Sequence, residues 1–406
     1  MEQITLNDLI SQETKRNPSS LYDRIRAQEP LAHLMVNGMG FWVATNYDDV
    51  IAILKDPRFI KDRQKLITPE EKQRSAEASS SHYEPLAWRR DMLMVDPPDH
   101  TRLRRLVSKA FTPRMIEQLQ PRIQQITDEL LDAVGERGTM DLIADFAFPL
   151  PLTVISEMLG IPAADRQQFR TWIQAIAKAS IEPGQAAAGF AAEEAFLHYI
   201  HALIVEKRDH PAHDLISGLI QAEEQGDTLS ESELISTIFL LIVAGHETTV
   251  NLLGNGTLAL LEHPDQLDRL RAEPALISSA IEELLRYTPP VMNAILWASE
   301  DIPMHGKVIR KGEVVQACLV AANMDAQRFA DPNQLDITRQ ENQHLAFGKG
   351  IHYCLGAPLA RLEGHIAIGT LLRRLPHLRL ACEPEQLVWN TTPANHRGLA
   401  SLPVLF

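Results

Sequence analysis

The chain has 406 residues, 45% hydrophobic and 23% charged, the balance of an ordinary globular protein long enough to bury a large core without staples. Lys and Arg number 39 against 53 Asp and Glu, a formal net charge of −14, which excludes a general nucleic-acid binder because that function needs a basic footprint. Three cysteines, Cys318, Cys354 and Cys382, make neither a disulfide framework nor a metal knuckle, so the chain suits a reducing compartment.

The N-terminus is polar and charged from its second residue, with no signal architecture. The longest apolar stretch, around residues 237–245, falls short of the roughly 20 residues of a membrane span. We therefore expect a cytoplasmic protein without a membrane anchor. A strongly polar stretch at 68–81 reads as a surface loop. No repeat or linker divides the chain, so residues 1–406 are expected to form a single domain with a small β-rich N-terminal part.

Residues 40–47 alternate and are aromatic and β-branched, which predicts a strand. A short helix follows over 48–54, ending before Pro57. Helices are predicted over 101–111, 113–136 and 151–159. Two more, 166–179 and 186–208, are split by Glu182-Pro183-Gly184. The clearest helix starts at Ser230, where Ser230 and Glu233 form a capping-box pattern, and runs until Pro264 closes it. At 1.5 Å per residue it is about 48 Å long, and its apolar faces place it in the middle of the molecule. A helix over 274–287, β segments over 308–310 and 313–320, and a last long helix over 356–374 complete a mainly α pattern with small β-sheets.

One glycine-rich loop carries the strongest chemical signal: Phe347, Gly348, Gly350, His352, Cys354 and Gly356 stand just before that last helix. Helix-terminal N–H groups there are expected to stabilise a thiolate. The glycines let something flat and bulky approach the backbone. A lone thiolate in this setting suits an axial ligand to haem iron; the alternative is a buried structural cysteine.

With the continuation Ala357-Pro358-Leu359-Ala360-Arg361, this stretch closely resembles the haem-thiolate signature of the cytochrome P-450 superfamily. The likeness runs from about residue 20 to the C-terminus, and is greatest to soluble bacterial members that tailor polyketides and macrolides. The resemblance implies a triangular, mainly α prism with haem b between the long central helix and the cysteine-bearing helix. Cys354 would be the metal ligand. It implies a monooxygenase that inserts one oxygen atom of dioxygen into a C–H bond or alkene of a bulky lipophilic molecule. Candidate classes are polyketides, macrolides, terpenoids, steroids and fatty acids.

A second motif, Ala244-Gly245-His246-Glu247-Thr248-Thr249, lies within the central helix. Gly245 beside the threonines can open the helical ladder and leave room for a small ligand. Glu247 and Thr248 place an acid beside an alcohol, which can relay protons. The resemblance makes this pair catalytic and puts Ala244 and Gly245 against the cofactor. The alternative is a kinked helix with incidental polar residues.

Glu283 and Arg286 share a helix face and can pair; the resemblance makes them a buried structural brace. His100 and Arg104 also share a face. The resemblance assigns His100, Arg104, His344 and His352 to the haem propionates, which need cationic or hydrogen-bonding partners. Arg102 and Arg105 are expected to be exposed, within a basic patch for an acidic electron donor. One departure stands out. Relatives usually carry a propionate-binding arginine where this chain has Leu296, so the network is one cation short or rearranged.

Substrate contacts implied by the resemblance are Leu86, Met92, Leu93, Leu240, Val243, Ala244, Val291, Ile295 and Thr392, nearly all apolar or small. No reductase module is recognisable, so electrons from NAD(P)H are expected through a ferredoxin or flavodoxin and its reductase, to a monomeric enzyme. Two rivals stay open: a peroxide-driven peroxygenase on the same fold, and a non-catalytic haem binder. The first tends to lack the acid–alcohol pair, and the second does not need Thr248.

Overall fold

Asn46 ends the first predicted strand early. The strand stops at Ala44, and Asn46 stands at the N-cap position, without a side-chain cap bond, of a helix whose first turn carries Asp48 and Asp49, favourable at the positive end of the helix dipole. The computed structural model describes residues 4, 8–9, 11–36, 39–67, 91–179, 184–224, 226–391 and 395–406. The expected polar loop at 68–81 and the expected substrate contacts Leu86 and Thr392 lie outside them.

Two short helices, α1 (Gln12–Arg16) and α2 (Pro18–Gln28), lead into β1 (Leu31–Val36), β2 (Met39–Ala44), helix α3 (Tyr47–Lys55) and β3 (Phe59–Ile60). Helices α4 (Asp99–Ala110) and α5 (Pro113–Val134) follow, then β4 (Thr139–Asp141), a π-helical turn at Ile143–Ala147, and helices α6 (Pro149–Leu159), α7 (Arg166–Ala179), α8 (Ala186–Asp209) and α9 (Leu215–Gln221). A small hairpin, β5 (Glu223–Glu224) with β6 (Asp227–Thr228), precedes α10 (Glu231–Glu262), α11 (Pro264–Ala272) and α12 (Ile277–Tyr287). Then come β7 (Ala294–Ala298), β8 (Ile302–Met304), β9 (Lys307–Ile309), β10 (Val314–Ala317), α13 (Leu319–Asn323), α14 (Ala357–Arg374), β11 (Arg379–Leu380) and β12 (Pro403–Leu405).

The main sheet has the order β1-β2-β10-β7-β3. Its central strands come from distant parts of the chain, with β10 parallel to β2 and antiparallel to β7. The β-rich N-terminal part is therefore completed by later sequence. Trp42, Val50, Ile53, Phe59, Leu296 and Val315 form the core beneath it. A second sheet, β11-β12-β4, holds the C-terminal strand against β4, which packs on the π-helical turn.

Helix α10 spans 32 residues and starts on the expected capping box of Ser230 and Glu233. It is long and apolar enough to cross a membrane by length and composition, yet more than half of its most apolar window is buried within the protein. Gly256 explains how tightly its neighbours pack: a Cβ there would stand 3.2 Å from Leu284 of α12 and 3.4 Å from Ile368 of α14. Two further sequence expectations change. The predicted strand at 313–320 ends at Ala317, and Leu319–Asn323 turns into α13. The helical ladder of α10 is not interrupted at Gly245; instead Thr248 and Thr249 donate their hydroxyls back to the carbonyls of Ala244 and Gly245, at 2.7 and 3.4 Å.

Candidate active site

The loop before α14 is held by its own backbone. Gly348 N–H donates to the Leu345 carbonyl at 2.8 Å, and Cys354 N–H to the Phe347 carbonyl at 3.0 Å. Gly350 has φ 76°, and a Cβ there would collide with the Leu54 carbonyl of α3, so only glycine fits this turn. Arg361 of α14 lies over the Phe347 ring, 4.6 Å from its centroid. Cys354 is half-buried. Burial pushes its thiol pKa up; N–H groups of Gly356 and Ala357 and the charges of Arg104 and Arg361 act the other way without overcoming it. The helix terminus alone therefore does not yield the expected thiolate. A coordinated metal ion would, because it strips the thiol proton outright.

Beside the loop lies a cluster of basic groups with open hydrogen-bonding positions among the described residues. His100 of α4 is 3% exposed, and both its ring nitrogens lack a hydrogen bond among the described residues. His352 stands edge-on to it, with ring centroids 4.4 Å apart, and its Nε2 is likewise unsatisfied. Burial, then Arg104, hold His100 below the usual imidazole range, against an opposing pull from Asp96. Burial, then the neighbouring His100 and Lys61, depress His352 to about 3. Arg104 donates to the Tyr353 carbonyl at 2.9 Å. Buried imidazoles are rarely left unbonded in a finished site. Orphaned nitrogens among cations fit an incoming carboxylate, so the residues present suit the two propionates of haem above a single thiol.

His344 does not join this cluster. Its Nε2 faces Glu282 at 3.1 Å, and its Nδ1 accepts from Ala346 N–H at 3.2 Å. Arg361 holds the other oxygen of Glu282 at 2.6 Å. Burial would raise Glu282, but Arg361 and His344 outweigh it and bring it to about 2. Both His344 nitrogens are thus committed away from a propionate. Arg102 departs from its expected exposure too: it is partly buried, tied to Glu233 and to Asp227 at 3.4 Å.

The middle of α10 is open on one side. Val243 is 38% exposed and Ala244 is exposed, while Leu241, Ile242, His246 and Thr249 around them are buried. Gly245, Glu247 and Thr248 are partly exposed on the same segment. A Cβ on Gly245 would meet only Ile155, at 3.7 Å, so the glycine leaves space rather than packing. Glu247 lies 3.1 Å from His396 Nδ1, close in distance but without hydrogen-bond geometry. Burial works to raise the Glu247 carboxyl, and His396 with His246 more than offsets it, so the group sits below its usual range.

Among the expected apolar contacts, Leu240, Val291 and Ile295 are partly buried, Leu93 is 42% exposed, and Met92 is buried in the main core. Glu283 and Arg286 are fully buried and paired through two contacts of 2.8 Å. Arg286 also donates to the carbonyls of Asn323, Pro332 and Gln334. Glu283 accepts from Arg339, Asn342 and the Asp336 N–H.

Two residues at the site went unnoticed in the sequence. His396 meets Glu247 from the C-terminal region. Lys61, just past β3, donates from Nζ to the Ile295 carbonyl at 2.7 Å. Neither belongs to a local motif, so no spacing signal could have revealed them.

Comparison with known proteins agrees with this geometry. A family model described as "Cytochrome P450" matches residues 10–402. The chain is 56% identical to cytochrome P450 CYP107DY1 of Priestia megaterium, over 100% of both proteins. Among solved structures it resembles the cytochrome P450 PksS of the Bacillus subtilis bacillaene polyketide synthase (TM-score 0.89, 44% identity, 98% of each chain). It also resembles the myxobacterial cytochrome P450 CYP267B1 in complex with myristic acid (TM-score 0.89, 46% identity, 99% of each chain).

Proposed function

The chain belongs to the cytochrome P450 family and is a haem-thiolate monooxygenase, and from that premise we propose that it oxidises a lipophilic, extended acyl or polyketide-type molecule in the space along the middle of α10. The observation that carries this reading is the open segment at Val243 and Ala244 in an otherwise buried helix, with Leu240, Val291 and Ile295 as apolar neighbours in the reading. Relatives associated with a polyketide synthase and with a bound fatty acid support the class.

Cys354 would hold the iron of haem b, and His100, Arg104 and His352 its propionates. When bound, haem supplies the dioxygen chemistry: one oxygen atom goes to the substrate and the other leaves as water, using two electrons and two protons. The protein's own task is to manage substrate and protons. Thr248 donates to the Ala244 carbonyl, which fixes its rotamer and leaves its oxygen lone pairs free to accept a proton-bearing partner. Glu247, held below the usual carboxylate range, stays ionised near neutrality and can take up a proton from water and pass it on. Electrons would arrive from NAD(P)H through a ferredoxin or flavodoxin with its reductase, and we place the enzyme in the cytoplasm.

The test is a titration of the purified ferric holoprotein with fatty acids, macrolactones and steroids. Acyl or polyketide compounds should shift the Soret band from low to high spin and yield oxygenated products with a surrogate redox pair. A shift and turnover confined to steroids would overturn the proposed class. Separately, Cys354→Ser should abolish the far-red Soret band of the reduced carbon-monoxide complex; its survival would remove Cys354 as the ligand.

A further inference from the structure

Leu296 cannot serve a propionate: it is 3% exposed and packed in the core beneath the main sheet. A cation nevertheless stands next to it. Strand β3 pairs antiparallel with β7 through Phe59↔Ala298 and Ile60↔Trp297. One further step along that register brings Lys61 level with Leu296. The Lys61 ammonium is half-buried, and its hydrogen bond goes to the Ile295 carbonyl.

Nearby carboxylates are already committed. Asp96 accepts the backbone N–H groups of Lys61 and Asp62, each at 2.9 Å, and pairs with Lys65 Nζ at 3.7 Å. Among the described residues no carboxylate comes within ion-pair distance of Lys61 Nζ. Burial lowers its pKa to about 8, against the pull of Asp96. Asp96 also accepts the His100 backbone N–H on its carbonyl at 3.2 Å, so Lys61 and His100 are anchored to the same residue. A desolvated ammonium beside orphaned imidazoles calls for an anion.

We propose that Lys61 is a propionate-binding residue, supplying from β3 the cation that Leu296 leaves out of β7. The assignment rests on the haem reading above and deepens it. It explains why an arginine is dispensable on β7: the charge comes from the neighbouring strand, and leucine is free to complete the sheet core.

The experiment uses purified apoprotein, ferric haem and haem dimethyl ester, with haem uptake and transfer to excess apomyoglobin as readouts. Lys61→Met should lose haem roughly 10-fold faster than wild type or more, the scale of a lost charge-assisted hydrogen bond. Lys61→Arg should stay near wild type. Lys65→Met, at a more exposed lysine paired with Asp96, should behave as wild type. Wild type should bind the free-acid haem better than its dimethyl ester, and Lys61→Met should lose much of that preference. The ester comparison on wild type needs no variant to fold, and far-ultraviolet circular dichroism of each apoprotein checks the rest. Lys61→Met with wild-type haem retention and wild-type ester discrimination would overturn the assignment alone. A wild-type apoprotein that takes up no haem would instead overturn the cofactor reading beneath it.

Discussion

The two flanks of the site are built on opposite terms. Around α12, every charge is answered by protein: Glu283 and Arg286 have no exposure, and their oxygens and nitrogens meet Arg339, Asn342 and three backbone carbonyls. Around α4 and the cysteine loop, buried polar atoms are left open: both nitrogens of His100 and the Nε2 of His352 have no hydrogen-bond partner among the described residues. The first arrangement is what a finished scaffold requires, since an unsatisfied buried charge is strongly destabilising. The second leaves room for a ligand to complete it. At α12 the charges are answered by protein, as a brace requires; at α4 and the cysteine loop, buried imidazoles stand open beside cations, where an anionic ligand fits.

The comparison breaks most visibly at Glu283. Glu283→Ala leaves Arg286 buried without its partner and should cost about 3–5 kcal/mol, read from urea unfolding of the apoprotein. A loss below about 1 kcal/mol would mean that the bracing lies elsewhere.

His246 gives the next effect. It is buried, with Nε2 unsatisfied and its ring edge-on to Phe148, and burial lowers its pKa from 6.5 to about 4. Below pH 6.5 the unfolded imidazole takes a proton that the folded one refuses, so its neutral form opposes folding increasingly as pH falls towards 4. Relative to His246→Gln, the wild type should lose on the order of 3 kcal/mol across that window. Parallel pH profiles for the two proteins would contradict the assignment.

Leu296→Arg sharpens the contrast at the sheet. Forcing a guanidinium into the packed core beneath β7 should cost roughly 1–3 kcal/mol of stability. Haem retention should not improve, because Lys61 already supplies the cation. Slower haem transfer to apomyoglobin in this variant would argue for the missing-arginine view instead.

His100→Leu tests the open flank directly. Removing an orphaned imidazole should leave apoprotein stability unchanged or raise it by about 1 kcal/mol, while haem is lost faster. A destabilised apoprotein with unaltered haem retention would make His100 a structural residue.

Thr248→Ala should have the smallest effect on stability, within about 0.5 kcal/mol, since a threonine back-bond contributes little to a helix. Its effect belongs to turnover: less product per NAD(P)H oxidised and more hydrogen peroxide released, with haem and substrate affinity nearly intact. Unchanged coupling would remove Thr248 from proton delivery.

Much of this molecule was legible because its strongest signals are local. Ser230 and Glu233 announced the start of α10 through a contact three residues apart. The run from Phe347 to Gly356 carried its turn glycines and its cysteine in one decade of sequence, and the family followed from that spacing. Glu247 beside Thr248 was readable for the same reason.

What tertiary structure decided was which partners these groups meet. His344 has the residue type and position of a propionate ligand, yet Glu282 of α12 and the Ala346 N–H claim both its nitrogens. Arg102 looked like a surface cation until the hairpin before α10 brought Asp227 to it. The gap at Leu296 was visible in the sequence, but Lys61 is more than two hundred residues away, and only the pairing of β3 with β7 sets the two side by side. Helix and turn signals depend on neighbours within four residues, so one chain reading contains them. Charge compensation and strand pairing depend on distance in space, which the sequence does not order, and those were settled only when the chain had packed.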